Sequence, residues 1–413
     1  MKISIIGGSG IYTPLLIDEI AKLNDRLKVD RVILNGRSAG KLKAVKTLCE
    51  KLVRRSGQDI EVHATEDRIE AIADADVIIC QIRVGGLEGR AFDEEFPREF
   101  GMVGEETVGP GGLSNAMRTI PVMLQIADEI ERYNKSAIFI VLTNPCGMVM
   151  RAINRRYRLK AVGICDMPRN LINKIASFLK AESGEILAEY FGLNHFGWIN
   201  RVYLSGVDVT KNIIENYEKI DTIIDKEIVK IQGAIPISYL KYYFHPEMFL
   251  TSKPARAREL MALEAEILNE MQDGDVDRIM NLLNRRSAVW YRYIVEYIKA
   301  LKDDDWSYHV LNVKNNSTLD FLPENSIVEV GCLMKKGVIK PIPVRDVPQS
   351  VKAMIFQLDA YEELTVEGIL NKSCDTLIEA LMIHPFVRSY DMAKSVLKKV
   401  LDGNRKMAFD FLR

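Results

Sequence analysis

The sequence predicts an α/β fold, with a doubly wound parallel sheet in its N-terminal part and an α+β arrangement after it, on three observations. Short apolar, β-branched runs alternate with helical patterns over the first 165 residues. Glycines crowd the end of the first run, immediately before a helix, as in Rossmann-like sheets that bind a dinucleotide. After about Tyr190 the pattern changes to hairpin-like strands and long helices. A chain of 413 residues holds two or three domains at roughly 150 residues each, and the change of pattern divides it into 1–190 and 191–413.

The predicted strands are Ile3–Ile6, Arg31–Leu34, Ile60–Ala64, Asp76–Ile82, Ala137–Thr143 and Ala161–Cys165. Their nearly continuous apolar character suits a parallel sheet covered on both faces. Between them, Pro14–Leu23 reads as a helix with Thr13 as its N-cap, Pro14 in its first turn, and Leu16, Ile20 and Leu23 on one face. Lys41–Arg54 repeats the pattern with Leu42, Val45, Leu48 and Leu52. Further on, Ile199–Leu204 reads as a strand with Gly206 and Asp208 at a turn, and Arg256–Met271 and Ala288–Leu301 as long helices.

Lys and Arg number 56 against 57 Asp and Glu, so the chain lacks the basic surplus that a nucleic-acid partner requires. Its longest apolar stretch, Ala137–Leu142, is far below the roughly 18 residues of a membrane span, and the opening residues carry no export signal. Six scattered cysteines, with no close pair, fit neither a disulfide framework nor a zinc knuckle, and point to a reducing cytoplasm.

Several segments have a chemical reading beside a plain one. Gly7, Gly8, Ser9 and Gly10 let backbone approach a pyrophosphate at a helix N-terminus; a tight turn without ligand is the competing explanation. Asn35 and Arg37 stand where an NAD enzyme carries a carboxylate for the ribose, so a 2′-phosphate meets a cation; alternatively, Gly36 simply adopts positive φ in a polar turn. Gly104–Gly112 is too glycine-dense for a regular element and leads into a helix starting near Ser114, as a site-lining loop or a surface turn. Asn144 follows a strand at the sheet edge where ligands bind, although Asn-Pro is also a common turn. Cys165 and His195 are good ligands for a divalent transition metal, yet a strand-end cysteine is also ordinary core. Tyr239, Tyr242 and Tyr243 cluster either as packing or around a general base.

In this order the segments resemble glycoside hydrolase family 4, the NAD- and manganese-dependent glycosidases that act on 6-phosphorylated disaccharides. The resemblance rests on Gly7–Pro14, Ile82–Gly85 with Arg90, Gly104–Gly112, Thr143–Pro145, Ile164–Pro168, Gly192–Trp198 and Tyr239–Tyr243. It implies a dinucleotide-binding Rossmann-like domain over 1–190, and a C-terminal domain over 191–413 that binds substrate and metal and mediates oligomerisation. The implied chemistry lies outside the two-carboxylate scheme of most glycosidases: hydride leaves sugar C3 for the nicotinamide, a metal on Cys165 and His195 polarises the ketone, and Tyr239 removes the C2 proton. Elimination at C1 follows with Asp166 protonating the leaving oxygen, then water adds and the hydride returns.

Arg90, Asn144 and Arg256 correspond to substrate-binding positions, although Arg256 reads equally well as a solvated helix charge beside Glu259. The family usually has an acidic residue where Asn35 stands, which opens NADP as an alternative cofactor, and a Gln where Glu105 stands. Members that cleave α-linked substrates resemble Cys165-Asp166-Met167-Pro168, so an α-preference is expected; Gly85-Gly86-Leu87 and Met117–Pro121 are closer to β-acting members. A 6-phospho-β-glucosidase, or a simple nicotinamide-dependent hydroxy-acid dehydrogenase, is the alternative. The expected partner is a small phosphorylated disaccharide, and the apolar C-terminal helices suggest a homodimer or homotetramer.

Overall fold

The structure is a computed structural model that describes residues 1–250, 255–285 and 290–411. Its first six strands are β1 (Lys2–Ile6), β2 (Arg31–Asn35), β3 (Glu61–Thr65), β4 (Val77–Cys80), β5 (Ile138–Val141) and β6 (Lys160–Gly163). All neighbouring pairs among them are parallel, in the order β3-β2-β1-β4-β5-β6. This is the doubly wound order whose ligand crevice opens at the C-terminal strand ends beside β1 and β4. Their apolar residues, Ile3, Ile5, Val32, Leu34, Ile78, Ile79, Phe139 and Ile140 among them, are almost wholly buried, as expected of a sheet covered on both faces.

A hairpin, β7 (Ile186–Leu193) and β8 (Phe196–Leu204), starts the second part, with β9 (Val207–Asp208) and β10 (Ile235–Pro236) flanking β8. The chain then returns to the first sheet. Strands β11 (Ser307–Lys314), β12 (Ile327–Lys335) and β13 (Val338–Pro341) add to it antiparallel beyond β6, giving nine strands among the described residues. Position 190 falls inside β7, and the late strands lie against the edge of the early sheet.

The first crossover helix, Thr13–Lys22, buries Leu16, Ile17 and Ile20. Thr13 is its first residue and not its N-cap; Tyr12 takes the capping position, because the Thr13 hydroxyl accepts a 2.8 Å hydrogen bond from Gln81 Nε2. The second helix, Ala39–Ser56, buries Leu42, Val45, Leu48 and Leu52. At the β8–β9 turn, Ser205 and Gly206 have positive φ, and Asp208 lies in β9. The late helices run over Arg256–Asp273 and Trp290–Ala300; residues 288 and 289, the expected start of the latter, lie outside the described residues.

One expectation fails instructively. The helix after the glycine-dense loop begins at Gly109, five residues before Ser114, so three of the four glycines are helical. Pro110 suits the first turn. A Cβ on Gly111 would lie 2.1 Å from the Glu105 carbonyl oxygen, and one on Gly112 lies 2.7 Å from that of Thr107. The glycines here let the first helical turn press against the backbone of the preceding loop, a close approach that outweighs their weak helix propensity.

Candidate active site

The nucleotide end of the crevice is built by backbone. Gly7 and Gly8 both donate N–H bonds to the Asn35 carbonyl, at 3.0 and 2.7 Å, which draws the β1 loop onto β2. Gly7 has φ +90°, and a Cβ on Gly8 would lie 2.9 Å from Leu34 Cα, so neither position accepts a side chain. With Ser9 and Gly10 they leave a bare cradle ahead of the Thr13–Lys22 helix, the feature a pyrophosphate needs. Gly36 does not adopt positive φ; it is glycine because a Cβ would sit 2.7 Å from Ser9 Oγ. The Asn35 side chain is buried and donates from Nδ2 to the Thr65 carbonyl at 3.2 Å, which leaves Oδ1 as an acceptor. Arg37 is exposed and makes no ion pair among the described residues.

The loop ahead of the glycine-rich helix carries two buried carboxylates. Glu106 pairs with Arg83 and, at 2.9 Å, with Arg90, whose Nε also binds Glu94 at 2.7 Å. Glu105 Oε2 accepts from the Thr107 amide at 2.6 Å and from the Thr107 hydroxyl at 2.5 Å. Its Oε1 accepts from the Tyr239 hydroxyl at 3.4 Å. Burial, with Glu106 adjacent, pushes the Glu105 carboxyl up to about 7. Burial and the Glu105 charge hold the Tyr239 phenol well above its ordinary value, so it is protonated.

His195 closes this chain. It sits at the tip of the β7–β8 hairpin with φ +61°, its Nδ1 is 2.8 Å from Thr107 Oγ1, and its ring centroid is 4.2 Å from that of Tyr239. Thr107 has one hydrogen, and it goes to Glu105. Therefore His195 Nδ1 carries a hydrogen and donates it, and Nε2 presents a lone pair. Burial lowers the imidazole to about 4, which keeps it neutral, the state a metal ligand requires. On these grounds His195 suits a ligand of a divalent cation.

Cys165 and Asp166 lie just beyond β6, at the same C-terminal edge, and begin the Met167–Leu179 helix. Cys165 Sγ is 4.0 Å from Asp166 Oδ1, and Asn170 Nδ2 donates to Asp166 Oδ2 at 3.3 Å. Burial, then the charges of Glu329 and Asp166, push the Cys165 thiol well up. All six cysteines are unpaired. Asn144, three residues beyond β5, is half-buried, and its side chain makes no hydrogen bond among the described residues. Arg256 opens its helix with an exposed side chain that pairs with Glu259, while the next residue, Ala257, donates its N–H to Glu94 Oε2 at 2.9 Å. The structure thus joins His195, Tyr239 and Arg90 through the 105–107 loop and points the Arg256 side chain to its own helix.

Four residues of this neighbourhood escaped the sequence reading. Arg83 and Thr107 lay inside quoted segments without a role. Glu329 and Asn312 carried only one signal: a Glu in the otherwise apolar run Ile327–Met334, where a buried charge needs partners.

The comparisons with known proteins place nearly the whole chain in one family. Residues 2–181 match Family 4 glycosyl hydrolase and residues 190–387 match the Family 4 glycosyl hydrolase C-terminal domain. A Bacillus subtilis protein named "Probable 6-phospho-beta-glucosidase" is 33% identical over 98% of this chain and 96% of its own. A Bacillus subtilis maltose-6'-phosphate glucosidase is 30% identical over the same shares. The structure of the Thermotoga maritima 6-phospho-beta-glucosidase with NAD and glucose-6-phosphate superposes with a TM-score of 0.92 at 29% identity, covering 98% of each chain. A 6-phospho-alpha-glucosidase from gut microorganisms, with the same two ligands, gives 0.89 at 25% and 98% of each chain. A malate dehydrogenase from Plasmodium falciparum, at 15% identity and a TM-score of 0.53 over 91% of this chain, shares the fold alone. With both of its domains matched across nearly its whole length, the chain belongs to family 4 of the glycosyl hydrolases.

Proposed function

We propose that the chain hydrolyses 6-phospho-glucosides by an oxidation–elimination–reduction cycle that uses NAD and a divalent cation such as Mn²⁺. The observation that carries this reading is His195, held through Nδ1 by Thr107 so that Nε2 presents a lone pair, with its ring beside the Tyr239 phenol. Relatives in complex with NAD, manganese and glucose-6-phosphate support it. Neither a hydroxy-acid dehydrogenase nor a binding module needs that combination.

When bound, the nicotinamide accepts hydride from sugar C3, and the cation, held by Cys165 and His195, polarises the carbonyl that results. The chain does the rest. Gly7, Gly8, Ser9 and Gly10 cradle the pyrophosphate, with Asn35 and Arg37 at the adenosine ribose. Arg90 and Asn144 hold the substrate, and Arg256 joins them on giving up its pair with Glu259. Tyr239 Oη takes the C2 proton, and its own hydrogen has a path to Glu105 Oε1. Asp166 gives a proton to the glycosidic oxygen as the C1–O bond breaks. Water then adds at C1, and C3 takes back its hydride. The unpaired cysteines suit a reducing cytoplasm, and exposed Phe356 and Met382 on the C-terminal helices suit a homodimer or homotetramer.

An α-preference is proposed from Asp166, since a carboxyl can hand over a proton where an amide cannot. The β-reading is favoured by the names of two relatives with 33% and 29% identity. Hydrolysis of nitrophenyl glucoside 6-phosphates of both anomers, with and without NAD and Mn²⁺, tests both the class and the anomer. Asp166→Asn is expected to lose far more rate on an alkyl glucoside 6-phosphate than on a nitrophenyl one, because nitrophenolate leaves with little protonation. Equal losses, or faster cleavage of the β-anomer by the unmodified enzyme, refute the assignment of Asp166 and the α-preference respectively.

NADP should bind within about tenfold of NAD, because Asn35 brings no charge and Arg37 is unpaired. Arg37→Ala should weaken NADP alone by about tenfold, the value of a charge-assisted hydrogen bond. Calorimetry showing NAD bound far more tightly by the unmodified protein overturns this.

A further inference from the structure

Glu329 is fully buried in β12, and no Lys or Arg pairs with it among the described residues. Three side chains donate to it: Tyr190 Oη to Oε2 at 2.8 Å, Asn194 Nδ2 to Oε1 at 3.0 Å, and Asn312 Nδ2 to Oε1 at 2.8 Å. Two of these donors are placed informatively. Asn194 directly precedes His195 at the tip of the β7–β8 hairpin. Asn312 is the β11 residue in register with Gly163, the last residue of β6, two positions before Cys165; a Cβ on Gly163 would lie 2.8 Å from Asn312 Cβ. One carboxylate oxygen therefore binds both the segment that carries His195 and the strand junction that carries Cys165, segments thirty residues apart in sequence.

Fastening β7 to β12 would need only the Tyr190 bond, and a neutral Gln could receive it. A buried carboxylate without a cationic partner is unfavourable even when hydrogen-bonded, and burial pushes the Glu329 carboxyl up to about 7. The ionisable groups around Glu329, which are Tyr190, Cys146, Cys165, Asp166 and Glu362, are all acids, so none of them supplies a positive charge. A divalent cation beside them supplies the missing positive charge.

We propose that Glu329 is a positioning residue for the metal site: through Asn194 and Asn312 it sets the relative placement of His195 and Cys165, and its charge favours a divalent cation there. The inference rests on the reading that Cys165 and His195 hold the metal. Outer carboxylates of this kind are typically worth about 10- to 100-fold in metal affinity.

The test is Mn²⁺ titration of the full-length protein, followed by the electron paramagnetic resonance signal of free Mn²⁺, with NAD affinity measured in parallel. Glu329→Gln is expected to weaken Mn²⁺ by about 10- to 100-fold and to leave NAD affinity unchanged, because the glycine cradle lies at β1. A general loss of packing would move both affinities. Unchanged Mn²⁺ affinity in a Glu329→Gln protein that binds NAD overturns the proposal. If that variant does not fold, Asn194→Ala, which removes one of the three donors, decides in the same way: weaker Mn²⁺ with unchanged NAD supports it, and unchanged Mn²⁺ overturns it. Cys165→Ser runs alongside. If it binds Mn²⁺ as the unmodified protein does, the Cys165–His195 site itself is wrong, a failure distinct from that of Glu329.

Discussion

Replacing Tyr239 by Phe is expected to lower kcat by about 10²- to 10⁴-fold, the usual contribution of a positioned general base, with KM and NAD affinity little changed. The phenol is placed by two contacts that differ in their need for oxygen. Its ring lies against that of His195 at 4.2 Å, and Tyr242 packs on it at 5.6 Å, both of which Phe preserves. Its hydroxyl reaches Glu105 Oε1, which Phe abandons. The variant should therefore fold and bind but fail to remove the C2 proton. Two readouts separate this from general damage. Substrate incubated in D₂O should acquire deuterium at C2 with the unmodified enzyme and not with Tyr239→Phe. Reduced nicotinamide should still appear on mixing substrate with the variant, because oxidation at C3 precedes the blocked step. Normal turnover by Tyr239→Phe would remove Tyr239 from the mechanism.

The hydroxyl's partner gives a milder companion experiment. Glu105→Gln keeps one acceptor oxygen, which can serve Thr107, and turns an amide NH₂ toward the Tyr239 hydroxyl, which can accept from it; the negative charge beside the phenol is given up. If the proton path ends on Glu105, kcat should fall while the C2 exchange remains detectable. If Glu105 acts only as a brace, kcat should stay as it is.

How far the sequence could carry these assignments depended on the range of the interactions. The central parallel strands β1, β2, β4 and β5 were legible because each is a buried apolar run of its own, and the glycine cradle because glycines at a strand end just before a helix are a local pattern. The start of the helix at Gly109 was misplaced because composition predicts local propensity, whereas contact with the Glu105 and Thr107 carbonyl groups decides the matter. Thr13 was assigned to a cap for the same reason, since Gln81 competes for its hydroxyl from across the sheet. The extension of the sheet by β11–β13 could not be seen, because a strand carries no mark of which earlier strand it will join. Glu329 was similarly hidden: its three donors come from positions 190, 194 and 312, and only the fold gathers them.

Metal removal is expected to be as damaging as loss of Tyr239, and Cys165→Ser should reproduce it. The argument starts from the acidity of the substrate. A C2 proton is not removable by a phenol until C3 is a carbonyl and that carbonyl is polarised, so a chain that holds its base beside a neutral imidazole needs a cation near both. Among the described residues, the two arginines beside the base are already engaged, Arg90 by Glu94 and Glu106, and Arg83 by Glu106. Cys165→Ser replaces a soft, ionisable sulfur with a hydroxyl that does not ionise at neutral pH, while changing the volume little. Mn²⁺ affinity should fall by more than about 100-fold, beyond the effect of an outer-shell change, and turnover should be lost with it at ordinary metal concentrations. Excess Mn²⁺ should restore part of the activity of the Ser variant and none to a Cys165→Ser, His195→Ala double variant. NAD affinity should stay constant throughout, since the Gly7–Gly10 cradle is formed against β2 and β4. Full turnover by the unmodified enzyme after exhaustive EDTA treatment would refute the metal requirement, and with it the roles of Cys165 and His195 together.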